Sequence, residues 1–367
     1  MSGGGGKVPF VDLVAWHAPS RQDYLDAFAK IIDAGAYVGG PQVGDFEAAF
    51  AKYCGASHAV AVKTGTDALV LALRALGIGG GDEVIAPANS FFATAEAISL
   101  VGATPVLCDV DDATLLIDVD DAVHRITPRT QCIVPVHLFG QLADIDRVRA
   151  LGVRVLEDAA QAHGATRGSH RAGSCGLAAA FSFYPTKNLG ALGEGGAVTT
   201  NDAELADHVR RLRDHGQAAR HDHAEIGYNA RLDSIQCACL AIELRRLDEA
   251  NAKRRALAAR YRERLAGDSR VRLVAEAPGS APVYHLMIVR VDASRRDAIR
   301  DAMGKAGIAT AIHYPTPIHQ QRAYAHLRQA PCPVAERAAR EMISLPMYPD
   351  LAAAQVDRVC EALLASL

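Results

Sequence analysis

Short apolar runs alternate along this chain with segments in which apolar residues recur at helical spacing, and this alternation is the strongest constraint on its fold. Strands that helices cover on both faces are nearly continuous in apolar residues, and many helices end at a glycine. The strand-like runs are HAVAV (58–62), EVIAP (83–87), TPVLCDV (104–110), CIVPVHLFG (132–140), VRVLED (153–158) and AAAFSFY (178–184). The helical segments between them include TDALVLALRALG (66–77), FATAEAISLVG (92–102) and ADIDRVRALG (143–152). The sequence therefore predicts an α/β fold with a mostly parallel sheet.

The pattern changes in the last third of the chain. A charged helical stretch without glycine or proline runs from Leu232 to about Leu265. A smaller α+β unit is indicated by YHLMIVRV (284–291), the helical SRRDAIRDAMGKAG (294–307) and IATAIHY (308–314). We expect a large domain over residues 1–245, beginning with a flexible leader over 1–7, and a small domain over 246–367.

Composition argues against several classes of function. The formal net charge of −3 gives no reason to expect binding to nucleic acid or to an anionic membrane. No apolar run is long enough for a membrane helix, and the start MSGGGGKVPF lacks the apolar centre of a secretory signal. The eight cysteines form no CxxC pair, which argues against a zinc site and a disulfide framework. We expect a soluble, cytoplasmic protein.

Residues just after parallel strands are the candidates for a ligand-binding site, because ligands of such sheets bind beyond the carboxyl ends of the strands. In KTGTDAL (63–69), Gly65 allows the backbone to approach a ligand, and Thr66 opens a helix whose free N–H groups suit a phosphate. The alternative is that the Gly-Thr pair only caps a helix.

Two further strand ends carry polar or aromatic side chains. Glu157 and Asp158 directly follow an apolar run, and a buried carboxylate must be paired, capped or functional because burying it alone is costly. The alternative for Asp158 is a cap on a following helix. In NSFFAT (89–94), the aromatic side chains could stack on a flat ring, although adjacent phenylalanines often lie in a core.

Lys187 lies in FSFYPTKNLGALGEGG (181–196), between an apolar strand and a glycine-rich loop. Partial desolvation would lower its pKa and favour the neutral amine, which suits a Schiff base; a solvated surface lysine is the alternative. A Schiff-base lysine, an aspartate for a pyridinium nitrogen, a phosphate cup and a stacking aromatic ring are the parts of a pyridoxal phosphate site.

Six motifs resemble, in the same order, those of the DegT/StrS family of pyridoxal-phosphate-dependent sugar aminotransferases. The resemblance covers nearly the whole chain and implies the aspartate-aminotransferase fold (fold type I), with a seven-stranded, mostly parallel sheet and a smaller C-terminal α+β domain. The motifs are VPFVDL (8–13), GGPQVGDFEAAFAKYCGASHAVAVKTGTDAL (39–69), EDAAQAHGA (157–165), FSFYPTKNLGALGEGGAVTTND (181–202), GYNARLDSIQ (227–236) and HYPTPIH (313–319).

The resemblance implies a role for individual residues. Lys187 would bond covalently to pyridoxal 5′-phosphate, and Asp158 would keep the pyridine nitrogen protonated. The other cofactor-binding residues would be Gln161 and Phe91 at the ring, Gly65, Thr66 and Ser182 at the phosphate, and Asn229 reaching the phosphate from the neighbouring subunit. Shared active sites require a homodimer.

The sugar-binding residues implied by the resemblance are Tyr184, His313 and Tyr314, with Arg220 meeting the nucleotide diphosphate from the second subunit. The alternatives are packing at a strand end for His313 and Tyr314, and a solvated side chain for Arg220.

The implied reaction moves an amino group from L-glutamate to a nucleotide-linked keto-sugar, with pyridoxamine phosphate formed between the two half-reactions and glutamine as the alternative donor. Two motifs, HLFGQLADID (137–146) and FSFYPTKNLG (181–190), resemble those of enzymes acting at C3′ of dTDP-3-keto-6-deoxyhexoses more than those of enzymes acting at C4′. A 4-keto-sugar or inosose aminotransferase and a pyridoxal-phosphate-binding regulatory protein without turnover are the alternatives. Lys187 argues against a sugar 3-dehydratase of this fold, which would carry histidine there.

Overall fold

The computed structural model describes residues 6–327 and 329–367, so residues 1–5 of the predicted leader lie outside the described residues. The helices are α1 (Leu13–His17), α2 (Arg21–Ala34), α3 (Pro41–Cys54), α4 (Gly65–Ala75), α5 (Ala93–Leu100), α6 (Val119–Arg125), α7 (Ile145–Arg149), α8 (Ala203–Arg213), α9 (Ser234–Leu244), α10 (Leu247–Leu265), α11 (Arg296–Lys305), α12 (Pro333–Glu341) and α13 (Ala353–Ser366). Short 3₁₀ helices cover Ala18–Ser20, Leu138–Gly140, Ile318–Gln320 and Arg322–Tyr324.

The strands of the large sheet are β1 (His58–Val62), β2 (Glu83–Pro87), β3 (Thr104–Cys108), β4 (Thr130–Ile133), β5 (Arg154–Asp158), β8 (Ala178–Ser182) and β9 (Gly196–Thr200). The remaining strands are β6 (Thr166–Arg167), β7 (His170–Arg171), β10 (Gln217–Ala219), β11 (Asp222–His223), β12 (Arg272–Leu273), β13 (Ser280–Ala281), β14 (Met287–Arg290) and β15 (Met342–Leu345).

The large sheet has seven strands in the order β1-β9-β8-β5-β4-β2-β3, which confirms the predicted α/β fold with a mostly parallel sheet. Only β9 is antiparallel to its neighbours β1 and β8. Val62, Gly196 and Ser182 are register partners across these three strands. The start of β9 therefore lies at the same edge of the sheet as the ends of β1 and β8.

Residues alternate between the two faces of the large sheet, as the period of a strand requires. Along β8, Ala178 and Ala180 belong to one buried cluster, while Ala179 and Phe181 belong to the cluster on the opposite face. On that second face the rings of Phe50 and Phe181 meet edge to face with centroids 5.0 Å apart. Both faces are buried, which explains the continuous apolar sequence of these strands.

A second, antiparallel sheet is formed by β12, β14 and β15 near the C-terminus. It contributes Val289 and Ile343 to a third buried cluster, which also includes Tyr261 of α10, Met303 of α11 and Leu363 of α13. The division of the chain at residues 245 and 246 stays a prediction.

Four local predictions differ from the structure. The helical stretch Leu232–Leu265 is two helices, α9 and α10, separated at residues 245–246. The segment 308–314 is not a strand but makes isolated bridges at Ile308 and Ala311. Helix α4 begins at Gly65, with Thr64 as its N-cap, rather than at Thr66. The CIVPVHLFG run ends as a strand at Ile133.

No helix in the described ranges is both long and apolar enough to cross a membrane.

Candidate active site

The carboxyl end of β8 is followed by a tight turn that carries Lys187. The backbone N–H of Lys187 donates to the carbonyl of Tyr184 at 2.8 Å, which fixes the turn. At the neighbouring strand, a Cβ on Gly196 would lie 2.3 Å from the carbonyl oxygen of Thr64. Only glycine allows the start of β9 to come this close to the backbone after β1.

Gly65 and Ser182 bring the start of α4 against the end of β8. A Cβ at Gly65 would lie 2.5 Å from the Cβ of Ser182, so no larger residue fits without moving one of the two backbones. The Thr64 hydroxyl accepts a hydrogen bond from the Asp67 N–H at 3.0 Å. The N–H groups of Gly65 and Thr66 have no acceptor within the described part of the chain. This helix start can receive an anion such as a phosphate.

Asp158 is the last residue of β5 and is 5% exposed. Its Oδ2 accepts from the Thr94 hydroxyl at 2.7 Å, and its Oδ1 accepts from the Ala160 N–H at 3.2 Å. Asp158 is followed by turns over residues 159–165 and not by a helix, so the alternative of a helix cap is wrong. Burial raises the pKa of Asp158, and both the Thr94 hydrogen bond and the charge of Lys187 oppose that rise. The carboxylate is thus suited to pairing with a buried cation.

Lys187 is half-buried and lies within electrostatic reach of Asp158. Burial lowers the pKa of Lys187 to about 8, although the attraction of Asp158 opposes the shift. A considerable fraction of this amine is therefore neutral near physiological pH, as a nucleophile or a general base requires. The alternative of an ordinary solvated lysine does not fit this environment.

Gln161 connects the turn after β5 to Tyr314. The Phe139 N–H donates to Gln161 Oε1 at 2.7 Å, and Gln161 Nε2 donates to the Tyr314 hydroxyl at 3.2 Å. The ring of Phe91 lies 5.7 Å from that of Tyr314 and is 57% exposed. Phe91 is therefore not a core residue, and its face is available to a flat ligand.

Two predicted sugar-binding residues, His313 and Tyr184, differ in how far they are exposed to solvent. The Nδ1 atom of His313 lies 2.8 Å from the Ser344 hydroxyl, and its ring stacks on Phe10 with centroids 5.7 Å apart. Burial, reinforced by the charge of Lys187, lowers the pKa of His313 to about 4. Tyr184 is 48% exposed. His313 is thus a neutral, packed side chain near Lys187, while Tyr184 presents its ring to solvent.

Two predicted site residues, Arg220 and Asn229, belong to the segment between α8 and α9. Arg220 is exposed in the turn between β10 and β11, and Asn229 is exposed beside Asp214, its partner in an isolated bridge. Among the described residues, no hydrogen bond or ion pair joins either side chain to Lys187 or Asp158. Their roles across a subunit interface stay predictions.

Sequence reasoning missed several residues that support the site. Thr94 was given no role, although its hydroxyl, two residues beyond the pair Phe91–Phe92, is a candidate partner for a buried carboxylate. Glu157 was expected to need a partner, but its partner His137 was not identified. His137 Nε2 and Glu157 Oε2 are 2.8 Å apart, and both side chains are fully buried.

The Glu157 carboxylate also accepts backbone hydrogen bonds from Gly173, Cys175 and Gly176 at 2.8–3.1 Å. His137 Nδ1 accepts from the Ala143 N–H at 3.1 Å, so the Nε2 atom carries the hydrogen donated to Glu157. Burial alone would raise the pKa of Glu157, but His137 and these N–H groups hold it below its usual value. Glu157 thus stabilises β5 from the side opposite to Asp158.

Comparisons with known proteins identify close relatives. The family described as the DegT/DnrJ/EryC1/StrS aminotransferase family matches residues 20–364. The chain is 46% identical to dTDP-3-amino-3,4,6-trideoxy-alpha-D-glucose transaminase of Streptomyces venezuelae, covering 97% of this chain and 95% of the relative. It is 45% identical to UDP-N-acetyl-3-dehydro-alpha-D-glucosamine 3-aminotransferase of Acidithiobacillus ferrooxidans, covering 98% of both. The crystal structure of S. venezuelae DesV in complex with a ketimine intermediate superposes with a TM-score of 0.94 at 46% identity, covering 97% of each chain.

Replacing Glu157 by glutamine should destabilise the protein. The Glu157→Gln side chain keeps its size but places an amide hydrogen donor among N–H donors, so we expect a loss of about 3 kcal/mol in the free energy of unfolding at pH 7. Urea denaturation measures the change. Glu263→Gln, at an exposed position on α10, is the matched control and should alter stability by less than about 0.5 kcal/mol.

The effect of Glu157→Gln should also depend on pH. The pKa of Glu157 is lower in the folded protein than the value of about 4.3 in an unfolded chain. Its stabilisation is therefore complete above that value and is lost as the pH falls through the lower folded pKa. The difference between wild type and variant should shrink below about pH 4. No difference at pH 7 would contradict the assigned pairing.

Proposed function

The chain belongs to the DegT/DnrJ/EryC1/StrS aminotransferase family, whose cofactor is pyridoxal phosphate, and we propose that it transfers an amino group from L-glutamate to a nucleotide-linked keto-sugar in amino-sugar biosynthesis. The observation that carries this proposal is the half-buried amine of Lys187 beside the buried carboxylate of Asp158 at the carboxyl edge of the sheet.

The described residues fit the cofactor in three respects. Asp158 is a buried carboxylate that can pair with a protonated ring nitrogen. The start of α4, with Ser182 packed against Gly65, offers free N–H groups to the phosphate. Phe91 presents an exposed aromatic face to a flat ring, and Gln161 is held in one orientation by Phe139.

When bound, the cofactor withdraws electrons from the α-carbon of the amino donor, which makes the α-proton acidic. Asp158 would support this chemistry by stabilising positive charge on the ring nitrogen. Lys187 Nζ, with its pKa of about 8, would be suited to take the proton from the donor's α-carbon and to return it to the carbon on the other side of the donor nitrogen. Thr94 holds Asp158 in place through the 2.7 Å hydrogen bond.

We assign the sugar side to Tyr184, His313, Tyr314 and Arg220, and the position aminated to C3′ of a dTDP-3-keto-6-deoxyhexose. The names of both relatives described above place the nitrogen at position 3 of the sugar, which supports C3′. Tyr314 supports the assignment through its hydrogen bond to Gln161. The alternatives are a 4-keto-sugar or inosose as acceptor and glutamine as donor.

We propose a cytoplasmic homodimer with shared active sites. All eight cysteines are buried and unpaired, which fits a reducing compartment. Asn229 and Arg220 are exposed, as residues that act on a partner's site would be in a single chain. Large apolar side chains are exposed at Tyr37, Val38 and Ile226, where the last is 87% exposed. Contact with a second copy would remove this apolar surface from water.

The visible absorbance of the cofactor-loaded protein should distinguish the alternatives. We expect L-glutamate to bleach the band and dTDP-3-keto-6-deoxyglucose to restore it, with an aminated sugar found by mass spectrometry. Lys187→Ala should abolish turnover, whereas Lys305→Ala, at an exposed position on α11, should not. Restoration by the 4-keto isomer alone would reject C3′. Bleaching by glutamine but not by glutamate would favour the alternative donor, and a band that neither amino acid bleaches would favour the regulatory alternative.

Mixed dimers test the proposed role of Asn229. If Asn229 serves the partner's site, a dimer of one Lys187→Ala and one Asn229→Ala subunit has one complete site. Random mixing of the two inactive variants should then restore about a quarter of wild-type activity, because half of the dimers are mixed and each has one intact site of two. Activity no higher than that of Asn229→Ala alone would place Asn229 in its own subunit's site.

A further inference from the structure

A buried hydrogen-bond network begins at Asn188, the residue that directly follows Lys187 in the chain. Asn188 is 3% exposed. Its Nδ2 donates to Asn251 Oδ1 and to the Val283 carbonyl, both at 2.9 Å. Its Oδ1 lies 3.2 Å from His285 Nδ1. The side-chain amide of Asn188 is thus bonded on both its nitrogen and its oxygen.

The network joins segments that are far apart in sequence. Asn251 lies on α10, is 1% exposed, and donates through Nδ2 to the His163 carbonyl at 2.8 Å. His163 follows Gln161 in the turn that Asp158 begins. Val283 and His285 precede β14. The loop of Lys187, the turn of Asp158 and the C-terminal part of the chain are therefore held to one another by side-chain amides.

The orientation of each side-chain amide in the network follows from the backbone carbonyls of His163 and Val283, which can only accept hydrogen bonds. A carbonyl only accepts, so Asn251 must turn Nδ2 toward His163 and Oδ1 toward Asn188. Asn188 Nδ2 then faces two acceptors, and Asn188 Oδ1 must accept from His285. His285 therefore carries its hydrogen on Nδ1 and a lone pair on Nε2, because burial keeps the ring neutral by lowering its pKa.

We propose that the network of Asn188, Asn251 and His285 positions Lys187, with the His285 Nδ1–H bond to Asn188 as its decisive contact. These three are positioning residues, since their observed contacts are with one another and with backbone carbonyls. The inference rests on the proposed role of Lys187 as the reactive amine. Loss of the network would release the lysine loop toward solvent and thereby restore an ordinary amine.

The titratable and charged groups around the two key side chains are few. Lys187 is influenced by Asp158, and its own charge acts on the rings of His163, His285 and His313. His285 is influenced by Lys187, Arg254, His313 and His163. Burial lowers the pKa of His163 to about 3, so all three imidazoles stay neutral while Lys187 titrates.

Two substitutions of His285 distinguish the role of its Nδ1 atom from that of its Nε2 atom. In His285→Asn the amide nitrogen can take the place of Nδ1 and still donate to Asn188, whereas in His285→Gln it reaches only the place of Nε2. We would measure the labelling rate of Lys187 by acetic anhydride in the cofactor-free protein as a function of pH, by mass spectrometry of the Lys187 peptide. Exposed Lys305 of the same sample is the internal reference.

We expect a wild-type labelling midpoint near pH 8. In Asn188→Ala and His285→Gln the labelling rate of Lys187 at pH 7, relative to that of Lys305, should fall at least about tenfold. Such a fall corresponds to a rise of one unit in the pKa of Lys187. His285→Asn should stay within about twofold of wild type. Thermal melting identifies variants that fail to fold, and the His285 pair alone decides the test if Asn188→Ala does not fold.

Unchanged labelling in folded Asn188→Ala and His285→Gln would overturn the proposal. Retained labelling in His285→Gln with loss in His285→Asn would also overturn it, because the role would then belong to Nε2. Labelling of the cofactor-free protein needs neither substrate nor turnover. A failure of the proposed aminotransferase reaction would therefore leave these results unchanged, and the two failures are distinguishable.

Discussion

The desolvation of two opposite charges, the half-buried Lys187 and the buried Asp158, at one edge of a sheet is the constraint on which the site depends. Burial pushes both groups toward neutrality, since it lowers the pKa of Lys187 and raises that of Asp158, while their attraction opposes both shifts. Because desolvation can exceed the Coulombic gain, such a pair persists only where other groups hold both side chains. The pair is thus ready for a ligand that brings its own charges.

The two carboxylates at the end of β5 lie on opposite faces of the strand and are held by different partners. Asp158 points to the site and is held by Thr94, whereas Glu157, the preceding residue, points the other way and is paired with His137. Alternation along a strand places neighbouring carboxylates on opposite faces. One carboxylate is fully satisfied by the protein, and the other keeps capacity for a ligand.

Much of the fold and part of the site could be predicted from the sequence, because they depend on local patterns. The bounds of β1 and β2 were predicted to the residue, and Lys187 and Asp158 lie at strand ends as expected.

The antiparallel strand β9 was not recognised as a strand, because its sequence GAVTT begins in a glycine-rich loop. The network around Asn188 was missed because its partners Asn251 and His285 are joined to it only by tertiary contacts. The proposed roles of Arg220 and Asn229 depend on contacts between two subunits, which local patterns in one chain do not specify.

Borohydride reduction of the cofactor-loaded protein would test the covalent role of Lys187 most directly. The reagent fixes a cofactor aldehyde permanently to the amine that holds it, and peptide mass spectrometry then identifies the modified residue. We expect the added mass on the peptide that contains Lys187, and on no other lysine peptide. Modification of a different lysine, or recovery of an unmodified Lys187 peptide from protein that has bound the cofactor, would contradict the role assigned to Lys187.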